Sequence, residues 1–198
     1  EIFAVSLVAM INAPLPLLPL QILYINIVSD VFPALALGMG GNMADVMKRP
    51  PRDPKEPILT RFHWGVIGGY GAVIGLSVLA VFWMAFQLNL GAEEAVTISF
   101  LTFAFARLWH VFNMRDPDAP FFRNEVTTNK YVWIALAIGV ALTLAAAYLP
   151  GLSPVLSTVP PSGEGWLLIA VGSIVPLIVG QIAKLRFVRR LLPGQEPG

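Results

Sequence analysis

The chain has 198 residues, 56% of them hydrophobic and only 13% charged, with a mean hydropathy of +0.71. That balance excludes a soluble domain and reads as a membrane protein. The net charge of +1 says little by itself, no nucleic-acid partner is expected, and the absence of cysteine removes disulfides and thiolate metal sites.

Residues 1–12, EIFAVSLVAMIN, read as the end of a helix, too short to cross a bilayer, which takes about 20 residues. The first residue is Glu1 rather than Met, and no secretory signal is present. The expectation is therefore a chain cut at its N-terminus, opening with the second half of a spanning helix. Pro14, Pro16 and Pro19 then make a tight turn into the next span.

That span, residues 17–38, carries the strongest signal, with Asn26, Ser29, Asp30 and Pro33 in the middle of an apolar run. A carboxylate at that depth costs on the order of 2.5–3.5 kcal/mol on insertion scales, so its default reading is a functional site. Pro33 has no N–H for the carbonyl of Ser29, and its ring crowds that carbonyl, so the helix is expected to kink or unwind between about Ser29 and Pro33. Asn26 and Asp30, four apart, share a helical face. An amide oxygen, a carboxylate and freed carbonyls form an all-oxygen set suited to a hard cation such as Ca²⁺, with Mn²⁺ also possible. The plainer alternative is a proline-kinked helix whose Asp pairs with a neighbouring helix.

A polar, proline-rich loop at 42–61 holds Lys48, Arg49, Pro50, Pro51, Arg52, Pro54 and Lys55. The third segment, 62–88, contains Gly65, Gly69, Gly71 and Gly75, whose G-x-x-x-G spacings favour close approach of another helix. The fourth, 95–113, carries Arg107 at membrane depth; Glu93 and Glu94 before it suit a helix N-terminus. A polar loop at 114–129 follows. The spans at 130–149 and 166–184 read mainly as scaffold, and the tail at 185–198 is basic and then flexible. The fold class is thus an all-α membrane bundle, a partial helix plus five spanning helices, one of them broken at the ion site. His63 and His110 near helix ends read as interfacial packing. The five tryptophans also lie near helix ends, where aromatic belts form.

Every Lys and Arg except Arg107 lies in the loops at 42–61 and 114–130, in the tail or, as Lys184, at the span end that adjoins it, whereas the opposite turns carry only Glu93, Glu94 and Glu164 as charges. The basic loops and the C-terminus are therefore expected to be cytoplasmic, in a multi-pass protein of the plasma membrane.

INIVSDVFPALALG and the loop sequence MKRPPRDPKEPILTR resemble the sixth transmembrane helix and following loop of type II P-type ATPases, closest to the calcium pumps. The resemblance runs through the whole chain but covers only the last part of such a pump. It implies that Glu1, Asn26, Ser29 and Asp30 contribute to the ion site, Ser29 standing where the family usually has Thr. Counting back from Asn113, it puts Arg107 where the animal pump supplies a Glu to a second calcium site. A guanidinium neither ligates a cation nor loses its charge, which implies one cation per cycle and a counter-charge role for Arg107. Asp30 and Glu1 would exchange protons for the outgoing metal. The loop carrying Arg49, Pro50, Pro51, Arg52 and Lys55 would couple the site to the phosphorylation region, or else only fix topology and touch anionic lipid.

The family's Asp-Lys-Thr-Gly-Thr motif and its nucleotide and actuator domains are missing from these residues, so ATP and Mg²⁺ would act only through the N-terminal remainder of the pump. One rival is a stand-alone helical membrane module that binds other membrane helices. The other is a secondary transporter, for which the internal repeats expected of that class are not found.

Overall fold

The computed structural model describes residues 15–39, 61–114, 124 and 126–191, with only the backbone for 61–63 and 184–191. Glu1 and the loop residues Arg49, Pro50, Pro51, Arg52 and Lys55 lie outside the described residues. Within them the chain is all-helical, and five helices are long and apolar enough to span a bilayer.

The first span is built in three pieces: α1 (Pro19–Ile25), a π-helical stretch (Asn26–Val31) and α2 (Phe32–Gly38). Then come α3 (Arg61–Gln87), α4 (Ala92–His110) with a 3₁₀ turn (Val111–Met114), α5 (Lys130–Tyr148), a short α6 (Ser153–Leu156) and α7 (Gly163–Leu191). The last helix outruns the expected 166–184, and the basic tail begins as helix. Nothing from Lys184 to Leu191 breaks a helix, and the next proline is Pro193. The turn of α6 inside the 150–165 loop was not anticipated. Pro154 starts it, and Ser157, in the left-handed region at φ 51°, ends it.

The central element is α4: 72% of its spanning window is buried inside the chain, against 28–39% for the others. It packs against α3 and α7 on one side and against α5 and the π stretch on the other. Ile98, Phe100, Leu101 and Leu108 are fully buried along it, and Thr97, Ser99 and Thr102 are buried among them. Thr97 and Ser99 satisfy their hydroxyls on the carbonyls four residues back, which makes polar side chains tolerable there.

Close helix approach occurs at glycines other than those expected. A Cβ on Gly172 would fall 2.5 Å from Val81, one on Gly180 2.5 Å from the Tyr70 ring, and one on Gly139 2.6 Å from Leu108. At Gly65, Gly68, Gly69 and Gly71 it would meet nothing. Among the described residues, then, no neighbour lies against Gly65, Gly69 or Gly71. α3 meets α7 through Tyr70, whose hydroxyl donates to the Gly180 carbonyl at 3.3 Å, and through Ser77, and buries Ile74, Val78, Val81 and Ala85 along the same stretch.

Side chains tie the broken span to its neighbours at both ends. Gln21, fully buried, accepts the N–H of Leu18 and donates to the Leu156 carbonyl at 3.0 Å. Tyr24 donates to the Leu142 carbonyl at 2.7 Å, and Asn129 to the Ala36 carbonyl at 2.9 Å. Polar side chains join this scaffold: Asn129, just before α5, caps α2, and Gln181 on α7 reaches Asn113 and Phe112. Glu94 sits in the first turn of its own helix, as its charge favours, and also accepts the Ser162 N–H at 2.7 Å, just before α7.

Candidate cation site

Pro33 breaks the α-helical register as expected, but the break is a π turn rather than an unwound segment. Helical dihedrals continue from Ile25 through Phe32, and Asn26–Val31 take the wider winding. Such single wide turns inside α-helices shift carbonyls out of register and are frequent at functional sites.

Asn26 and Asp30 lie on one face of this turn, and both meet Arg107 of α4. Arg107 Nη1 donates to Asn26 Oδ1 at 2.9 Å, and Nη2 forms an ion pair with Asp30 Oδ2. Ser29 is 4% exposed and donates its hydroxyl to the Ile25 carbonyl at 2.6 Å, leaving the lone pairs of Oγ for another partner. The sequence-predicted residues Asn26, Ser29, Asp30 and Arg107 are therefore neighbours, with Pro33 on the same wall.

The pair opens on a cavity of about 610 Å³, lined on its polar side by Asp30, Tyr70, Arg107, His110 and Asn113. The Arg107 side chain is 20% exposed and that of Asp30 52%, so the carboxylate faces the cavity while the guanidinium is held in the wall. His110 stacks edge-on against Tyr70 with ring centroids 4.6 Å apart. It does pack, as expected, but beside the charged pair. Asn113 is 5% exposed and accepts from Gln181 at 2.6 Å; its own Nδ2 finds no partner among the described residues.

Phe103 was not singled out from the sequence. Its ring lies 5.4 Å from the Arg107 guanidinium carbon, one helical turn back on α4. The signal was present, since residues four apart on a helix share a face.

Asn26 Oδ1, Ser29 Oγ and the Asp30 carboxylate are hard oxygen donors of the kind Ca²⁺ takes, and a full shell needs six to eight of them. Among the described residues no cluster of three or more His, Cys, Asp or Glu could hold a metal, so further ligands must be carbonyls, water or groups outside the described residues. Arg107 occupies the same two oxygen atoms that a cation would use.

Residues 14–186 match the family model described as cation transporting ATPase, C-terminus. A calcium-transporting ATPase of Bacillus subtilis is 37% identical over 186 residues, covering 92% of this chain and 21% of that protein. Calcium-transporting ATPase 1 of Bacillus cereus is 31% identical over 201 residues, covering 93% and 22%. Calcium-transporting ATPase type 2C member 1 of Pongo abelii is 31% identical over 154 residues, covering 78% and 17%. The chain spans about a fifth of the length of these curated relatives.

Proposed function

The chain belongs to the cation-transporting ATPases as their C-terminal membrane region, and from that we propose that it carries the intramembrane site of a pump that exports Ca²⁺. Asn26, Ser29, Asp30 and Glu1 hold the ion, with carbonyls freed at the Pro33 break. The observation that carries this reading is the convergence of Asn26 Oδ1 and Asp30 Oδ2 on one charged group from a second helix. A site built for a cation keeps its carboxylate compensated when the ion is gone, and Arg107 supplies that charge. The calcium-transporting relatives support Ca²⁺ over Mn²⁺.

The remaining parts follow from the same reading. The loop with Arg49, Pro50, Pro51, Arg52 and Lys55 faces the cytoplasm and couples the site to the domains that use ATP and Mg²⁺, in the N-terminal remainder of the pump. The basic loops and the C-terminus are cytoplasmic, and the membrane is the plasma membrane. Arg107 compensates Asp30 in the ion-free site, so Glu1 is the carboxylate left to carry a proton back. Ca²⁺ uptake into sealed vesicles without opposite proton movement would exclude that exchange.

Arg107 takes the space of a second ion, so the complete pump moves one Ca²⁺ per cycle. Counting ⁴⁵Ca²⁺ bound per phosphorylated pump tests this: one ion supports the reading, and two overturn it.

A further inference from the structure

We infer that Phe103 is the positioning residue of Arg107, setting how strongly the guanidinium competes with the transported cation. The inference rests on reading Asn26 and Asp30 as metal ligands.

Arg107 can leave the site without any movement of its helix. Its long side chain lies on the wall of a cavity of about 610 Å³, which continues along α4 past His110 to Asn113. A guanidinium free to sample that space would spend only part of its time on Asp30. One contact that restrains it on its own helix is with Phe103, 6% exposed and fixed in the core, with its ring 5.4 Å from the guanidinium carbon. That distance lies within the range at which a ring face attracts a cation, most strongly where water is scarce. The ring moves with α4, whereas Asn26 and Asp30 sit on the broken span. Phe103 therefore keeps Arg107 aimed across the helix gap whether or not the two oxygens are free.

The functional consequence has a sign. In the ion-free site the guanidinium holds Asn26 Oδ1 and Asp30 Oδ2, and the metal must displace it. Loosening Arg107 weakens the competitor and strengthens metal binding. The effect of losing Phe103 is bounded by the effect of losing Arg107 itself.

The test uses the complete pump containing this chain, reading the Ca²⁺ concentration for half-maximal ATPase activity. Phe103→Leu is expected to lower that concentration about two- to tenfold. Phe103→Tyr and Phe103→Trp, which keep a ring face, stay near the parent value. On an Arg107→Gln background, Phe103→Leu changes nothing further. The inference is overturned if Phe103→Leu raises the concentration or leaves it unchanged, or if its shift persists without Arg107, since a packing role alone does not need the guanidinium. Asp30→Asn reports on the ligand reading separately: an unaltered Ca²⁺ dependence there removes the metal site, whatever Phe103 does.

Discussion

Ser77 donates its hydroxyl hydrogen to the carbonyl of Gly172 at 2.6 Å, and Pro176, four residues farther along α7, cannot supply the helical N–H which that carbonyl lacks. Three residues on two helices thus solve one problem. Proline removes a donor, glycine lets the helices close, and serine replaces the missing hydrogen bond. Ser77→Ala should cost about 0.6–1.7 kcal/mol, the range for interhelical hydrogen bonds in membranes. Reversible unfolding in mixed detergent measures it, and an unchanged unfolding midpoint would remove the bond from the account.

The glycines divide into two classes that mutation separates. A Cβ at Gly180 would lie 2.5 Å from the Tyr70 ring and 2.6 Å from Asn113 Nδ2, so Gly180→Ala should destabilise by about 1–3 kcal/mol. Gly69→Ala meets open space and should stay within about 0.5 kcal/mol of the parent. Equal effects at the two positions would mean that α3 closes against another helix along its Gly69 side as well.

If Asn26 and Asp30 hold the ion as proposed, Arg107→Gln frees both for it. The complete pump should then reach half-maximal activity at a Ca²⁺ concentration at least about fivefold lower, the low end of ordinary coupling free energies. A higher concentration would show that the guanidinium helps the ion to bind rather than contesting its ligands.

Much of this was legible in the chain. The intramembrane cost of Asp30 and the missing N–H of Pro33 marked the site, and the four-residue spacing to Asn26 predicted the face that meets Arg107. The partner of Asp30 was harder. Its separation from Arg107 is 77 residues, and spacing in the chain does not say which helices meet. The π winding was not legible, because hydrophobic periodicity reports which side of a helix is apolar and not which carbonyl each N–H meets. The glycines make a related point: G-x-x-x-G spacing specifies a smooth face, and whether a neighbour lies against it depends on the whole bundle. Gln21 is fully buried, and nothing in the residues around it names its partner, the Leu156 carbonyl 135 residues away.

The central claim is that Asp30 binds the transported ion. The most direct measurement is ⁴⁵Ca²⁺ binding to the complete pump and to its Asp30→Asn variant, in parallel with an unfolding midpoint for each. The account predicts a folded variant whose affinity falls by about a hundredfold or more, the upper end for loss of a charged, desolvated interaction. A folded Asp30→Asn variant that binds Ca²⁺ as tightly as the parent would contradict it, and would leave the Arg107–Asp30 pair as a structural tie between two helices.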